Sequence, residues 1–243
     1  MASSLAERLG ELIDLSANEQ AALDGLEQRE RTLRRGAVLL REHDRPSELF
    51  VVTRGTLMSY VILPDGSRQI LHFLFRGDIV AMASLAYRSS PETVIALTEA
   101  AVAPLERAAI GALAVSHPRL SALLIAVDQM ERIGLTDRLA GLGRMSAKAR
   151  VAALLLDIRN RLRTRDPRLD RTFGLGLTQE EIGDATGLTA VHVNRMLRQL
   201  EEEGMITREG GRFTLLDEAL LARTGHFTDR RAGLDLGWLP AAR

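Results

Sequence analysis

The chain has 243 residues, enough for one large domain or two ordinary ones, and 46% hydrophobic against 26% charged residues is a globular balance. Its 32 basic and 32 acidic side chains cancel, so binding to nucleic acid or membrane must come from a local patch. The absence of cysteine excludes disulfide scaffolds, cysteine-ligated zinc, iron–sulfur clusters and thiol nucleophiles.

No apolar run approaches the roughly 18 residues a membrane span needs. The start, Met1 to Arg8, has neither a basic nor an apolar leader region, so a cytoplasmic protein is expected. The basic residues are 31 arginines and the single Lys148. They spread over both halves, which points to composition bias and not to a phosphate site.

The first thirty residues read as helix, with Ser16-Ala17-Asn18-Glu19 as a capping box. From Leu33 the pattern changes to short apolar runs at 37–40, 49–53, 57–63, 69–75, 93–97 and 101–105. Gly36, Asp44-Arg45-Pro46, Arg54-Gly55, Pro64-Asp65-Gly66 and Gly77-Asp78 separate them. Strands at this spacing with turn residues between them predict a small barrel or double-sheet roll. Asp65-Gly66 supplies a hairpin turn, because glycine accepts positive φ.

A long helix follows, capped by Ser116 with Pro118 in its first turn. Leu120, Leu123, Val127, Met130 and Gly134 recur at about 3.5 residues, the spacing of a coiled-coil seam between two copies. The competing reading packs the same stripe on its own domain. Gly141 and Gly143 are expected to loosen the helix and mark a boundary. A second helix, from Ala147 to about Leu162, carries Val151, Leu154, Leu155 and Ile158 on one face. The basic run Arg159 to Arg165 reads as its solvated end.

Residues 177–215 carry the functional signal. Thr178-Gln179-Glu180-Glu181 is a second capping box, opening a short helix that Gly187 ends. Thr189 caps a second helix from Ala190 to about Glu203, closed by Gly204. Two short helices across a glycine-containing turn form a helix-turn-helix. Ile182, Ala185, Leu188, Val193, Leu197 and Leu200 are placed inward. Ala190, Val191, Asn194, Arg195 and Arg198 then lie outward. Arginine can fork onto guanine and asparagine can pair with adenine in the major groove. Thr178 and Thr189, at helix starts with unpaired N–H groups, suit phosphate contacts. Met205 to Arg208 and Arg212 to Leu215, joined by Glu209-Gly210-Gly211, predict a β-hairpin wing. Residues 148–243 hold 16 positive and 14 negative side chains, so strong salt dependence and a dimer are expected for tight DNA binding.

This order of parts resembles the CRP/FNR family of bacterial transcription regulators. In the roll the resemblance rests on Gly36, Gly55, Asp65-Gly66 and Gly77-Asp78. In the C-terminal part it rests on Leu177-Thr178-Gln179-Glu180-Glu181-Ile182-Gly183, Gly187-Leu188-Thr189 and Val193-Asn194-Arg195. It implies an α+β fold: an N-terminal double-stranded β-roll (jelly roll) over 1–115, a long dimerisation helix over 116–143, a winged helix-turn-helix over 144–220, and a tail over 221–243. It implies a homodimer reading an inverted repeat of double-stranded DNA, with RNA polymerase as a further partner of an activator. Thr178, Gln179, Thr189 and His192 would hold phosphates, and Ala190, Val191, Asn194, Arg195 and Arg198 would face bases.

The departures shape the expectations. Where cyclic-nucleotide-binding members carry a ribose-binding glutamate this chain has Met82, within Ala81-Met82-Ala83-Ser84. Where they carry an Arg-Ser pair it has Pro91-Glu92-Thr93. A carboxylate in place of a phosphate partner is repulsive, so cyclic AMP is not expected. Gly77, Met82, Ser84, Arg88 and Thr93 remain as the candidate effector pocket. The family's oxygen-sensing branch uses N-terminal cysteines, absent here. Haem on His43, His72 or His117 is not expected either, as no histidine pair has ligand spacing. Val191 stands where many members have a glutamate, so the half-site should differ from theirs. No cofactor, no metal and no catalytic activity are expected. The alternative function is an effector- or protein-binding module whose winged helix does not serve DNA.

Overall fold

The computed structural model describes residues 3–241 apart from Gln28 and Pro167; Met1 and Ala2, part of the leader reading, lie outside the described residues. In chain order the elements are α1 (Ser4–Gly10), α2 (Ala17–Asp24), β1 (Arg31–Leu33), β2 (Val38–Leu40), β3 (Glu48–Arg54), β4 (Leu57–Ile62), β5 (Arg68–Leu74), β6 (Ile79–Val80), β7 (Thr93–Ala96), β8 (Ala100–Glu106), α3 (Arg107–Ser116), α4 (Pro118–Arg144) and α5 (Ala147–Arg165). Then come β9 (Thr172–Phe173), α6 (Gln179–Thr186), α7 (Ala190–Glu202), β10 (Ile206–Glu209), β11 (Arg212–Leu215) and α8 (Glu218–Thr224). They form two compact units. The first holds Met1–Val61, His72–Ile133 and Asp235–Arg243; the second holds Ile62–Leu71 and Gly134–Leu234.

In the first unit, two four-stranded sheets run in the orders β1-β8-β3-β6 and β2-β7-β4-β5. The central pair is β3 with β8, antiparallel from Glu48↔Glu106 to Val52↔Val102. Strand side chains alternate between faces. Leu49 and Val51 of β3 therefore enter one core with Leu5, Leu9, Leu23, Leu113, Leu120 and Leu123 of the helices, while Val52 enters the roll interior with Leu57, Val94 and Val102. Burial on both faces explains why β3 reads as an unbroken apolar run.

The helical cap differs from the sequence reading. Residues 107–116 form a helix of their own, and Ser116 ends it, donating its hydroxyl to the Ala112 carbonyl at 2.8 Å. Ser116 is therefore not the cap of α4. The latter runs unbroken past Gly141 and Gly143 to Arg144. Helix α1 is fastened by buried Arg8, which pairs with Asp78 and, at 2.8 Å, with Glu131 of α4. Leu236 and Leu239 of the tail join this core, whereas Trp238 is exposed.

In the second unit, Val151, Leu155 and Ile158 of α5 are buried with Ile182, Val193, Leu197 and Leu200 of α6 and α7. The wing sheet has the order β10-β11-β9, with Ile206↔Leu215 and Phe213↔Phe173 in register. The Phe173 and Phe213 rings stack at 5.9 Å. The two-residue strand β9 lacks any alternating pattern and was invisible in the sequence. Helix α8 packs on α5, where buried Arg159 pairs with Glu218 and Gly225 lies against Ala153. It extends the second unit past residue 220, into what the sequence left as tail.

Candidate nucleic-acid interface

Helices α6 and α7 meet at a corner that depends on two glycines. Gly187 ends α6 in the left-handed conformation, φ 65°. Gly183 lies where α7's entry crosses α6: a Cβ there would fall 2.3 Å from the Leu188 carbonyl oxygen. The Leu188 N–H donates to the Gly183 carbonyl at 3.0 Å, closing the turn. The close approach leaves room only for hydrogen on the glycine Cα.

The inward set Ile182, Ala185, Val193, Leu197 and Leu200 is buried, with Met196 added, and Leu188 is half-buried. The opposite face presents Val191, His192, Arg195 and Arg198 exposed, with Ala190 and Asn194 half-buried beside them. Val191 is 82% exposed, an apolar β-branched side chain standing beside cationic neighbours. Arg195 has no ion-pair partner among the described residues.

The two helix starts are not equivalent. At α6 the Thr178 hydroxyl accepts the Glu181 N–H at 3.1 Å, and the Glu181 carboxylate accepts the Thr178 N–H at 2.8 Å. With Glu180 also in the first turn, this start already carries its own anions. That weakens Thr178 and Gln179 as phosphate holders, although both are exposed. At α7, Thr189 accepts the His192 N–H at 3.3 Å and no acidic residue lies in the first turn. The start of α7 is the open anion position. Behind it, Glu201 near the end of α7 grips Arg208 of β10.

The comparisons agree with this geometry. Residues 149–224 match the Crp-like helix-turn-helix domain and residues 30–117 match the cyclic nucleotide-binding domain. The fumarate and nitrate reduction regulatory protein of Salmonella typhimurium is 27% identical over 215 residues, 87% of this chain and 85% of that protein. The chain belongs to the CRP/FNR family. The structure of FixK2 from Bradyrhizobium japonicum is similar with a TM-score of 0.73 and 26% identity, over 81% of this chain and 96% of that one. A CRP-family transcriptional regulator from Thermus thermophilus, TTHB099, shares the fold at TM-score 0.65 and 24% identity, over 81% and 96%. The chain is thus a CRP/FNR-type transcription regulator, of a family whose members bind DNA and dimerise. No helix among the described residues is long and apolar enough to cross a membrane.

A CRP/FNR member raises the question of a ligand in its roll, and two of the five expected pocket residues, Gly77 and Met82, face the helical cap instead. Gly77 faces α1: a Cβ would sit 2.7 Å from both Arg8 and the Ser4 carbonyl. Met82 packs against the helical core. The Thr93 hydroxyl accepts the Glu42 N–H at 3.0 Å, and Arg88 is exposed. Only Ser84 keeps a buried hydroxyl without a partner. Two residues outside that set stand out instead. Ser59 of β4 is fully buried with no well-formed hydrogen bond, and it lies near the Glu92 carboxyl. Burial pushes the Glu92 pKa up, opposed by Ser59. A half-buried carboxyl with a raised pKa beside the Ser59 hydroxyl does not fit a cyclic phosphate. Glu92 was noted as a departure in the sequence, but its half-buried place near Ser59 is a tertiary fact.

Two residues of the expected dimer seam are taken up by their own unit. Leu120 and Leu123 are fully buried in the core of their own unit, and Val127 packs against it. Met130 is half-buried and Gly134 exposed. The apolar residues of α4 that remain exposed are Ile125, Ile133, Leu135 and Leu139. At 100° per residue, Ile125, Leu135 and Leu139 share a face about two-fifths of a turn from the expected stripe.

Proposed function

We propose that this regulator binds an inverted-repeat DNA site as a homodimer, placing α7 of each copy in the major groove. The observation that carries the reading is the exposed face of α7. Val191 stands exposed at the helix start, Arg195 lies exposed one turn on, and no group among the described residues covers either. Arg195 is suited to fork onto guanine, and Val191 to meet a thymine methyl where a glutamate would accept from cytosine. Thr189 and His192, at the open start of α7, hold phosphate; Arg198 and Asn194 flank the bases. A second copy of α4 covers Ile125, Leu135 and Leu139, and the two readers fall about one helical turn apart.

The roll acts without a cyclic nucleotide, because the Glu92 carboxyl repels the phosphate such a ligand brings. RNA polymerase is a partner where the protein activates. No metal centre or cofactor enters this reading, nor does any catalytic step, and the protein acts in the cytoplasm with DNA. The test is affinity selection of random duplexes by the full-length protein at fixed moderate salt with no ligand added. An inverted repeat is the expected product. Recovery of unrelated sequences, with weak binding insensitive to salt, would remove DNA as the partner.

A further inference from the structure

The tip of the β4–β5 hairpin, Ile62–Leu71, belongs to the second unit, and its return strand is pinned there at three points. Arg68 Nε donates to Asp184 Oδ2 at 2.6 Å. Gln69 Nε2 donates to the main-chain carbonyl of the same Asp184 at 2.7 Å. Arg138 of α4 donates to the Leu71 carbonyl and stands 3.6 Å from Asp157 of α5.

Asp184 occupies a sensitive place. It lies in the last turn of α6, whose final carbonyls have no partner within the helix. The N–H that regular α geometry would deliver to Asp184 is that of Leu188, but it goes to Gly183 as the chain turns. Gln69 satisfies the orphaned carbonyl, while Arg68 holds the side chain. Two adjacent residues thus grip one residue from two directions, three positions before the glycine that sets the angle between α6 and α7.

We propose that Arg68 and Gln69 are positioning residues for DNA reading. By gripping Asp184 they fix the corner between α6 and α7, and with it the direction of the reading helix. Neither needs to touch a base. The ion pair is about a quarter exposed at both ends, so it adds little to global stability. Its effect falls on the ordering of α7, which otherwise must be restricted when DNA binds. The proposal rests on the DNA-binding reading.

The test uses full-length Asp184→Ala, Gln69→Ala and the charge swap Arg68→Asp with Asp184→Arg. The probes are the duplex recovered by selection and a random duplex. Asp184→Ala removes a negative charge, so electrostatics alone would tighten binding to both. The clamp predicts the opposite: Asp184→Ala and Gln69→Ala each weaken the selected duplex roughly three- to tenfold. The random duplex is unaffected or slightly tighter, the thermal midpoint is unchanged, and the swap restores the selected duplex. In the free protein, amide exchange should rise along α6 and the start of α7. Unchanged or tighter binding of the selected duplex by Asp184→Ala overturns the proposal, as does a loss that tracks a fall in thermal midpoint. If the native protein selects no duplex, the DNA reading fails, and the exchange of α6 then judges the clamp: unaltered protection in both variants overturns it.

Discussion

Glu201 accepts Arg208 Nε at 3.0 Å and Nη2 at 2.6 Å, tying the first wing strand to the end of the reading helix. The arginine's hydrogen bonds hold the Glu201 carboxyl below its ordinary value of 4.5, against a smaller opposing effect of burial. A lowered folded-state pKa means the contribution is present above the unfolded value and lost as pH falls through the folded one. Amide exchange of β10 should therefore rise below about pH 4.5, more than in Glu201→Gln, where the wing is loosened at every pH. An identical pH profile in the two proteins would show that this pair does not hold the wing.

Glu92 has the opposite sign. Its pKa is raised by burial, so the protein gains by keeping it protonated, and that gain is lost as pH rises through the raised value. Glu92→Gln should melt higher than the native protein at pH 7–8, with the gap closing toward pH 4. A lower midpoint for the glutamine variant at neutral pH would mean that the charged carboxylate is satisfied in the fold.

Gly183→Ala should disrupt the corner. Its Cβ would fall 2.3 Å from a backbone oxygen, and backbone cannot step aside as a flexible side chain does. Overpacking of this kind costs about 1–3 kcal/mol or more. Chemical denaturation measures the loss. Gly111→Ala, with open space around its Cα, is the matched control and should be neutral or stabilising within α3.

Arg195→Ala should weaken the selected duplex by about 1–3 kcal/mol and relax preference at one base pair. Val191→Glu should change the preferred base at the adjacent position toward cytosine. Parallel selections with the two variants read both outcomes. Equal losses on selected and random DNA would assign Arg195 to the phosphate backbone instead.

Leu139→Asp should separate the dimer, because Leu139 is 71% exposed on α4 and a symmetric interface would bury it twice. Each buried leucine contributes about 1.5–3 kcal/mol, so the dimer dissociation constant should rise on the order of a hundredfold or more. Sedimentation equilibrium decides it. Leu123→Ala should instead lower monomer stability by about 2–5 kcal/mol, since it fills the unit's own core.

The stripe on α4 shows where pattern reading stops. Leu120, Leu123 and Val127 recur as a coiled-coil seam would, yet periodicity reports only that a face is buried. It does not say whether the cover is a second chain or α1 and β3. The sequence likewise placed Gly77, Met82, Ser84, Arg88 and Thr93 together by analogy along the chain, and packing turns Gly77 and Met82 toward the helical cap. Three of the five are claimed by neighbours far away in sequence: Arg8 for Gly77, the helical core for Met82, Glu42 for Thr93.

What local chemistry decides was legible. The capping boxes at Ser16 and Thr178, the left-handed turn at Gly187, the inward face of α7 and the wing around Gly210-Gly211 all depend on residues within a few positions of one another. Their hydrogen bonds and backbone preferences need no distant partner. Val191 and Arg195 could be assigned to the outer face because a helix start and its 3.6-residue period leave one choice. Tertiary structure alone decided which face of α4 stays open, that Glu92 is half-buried near Ser59, and that Asp184 is gripped from the β4–β5 hairpin. Those outcomes come from contacts between residues up to 123 positions apart, where the same side chain is satisfied by whichever neighbour the fold delivers.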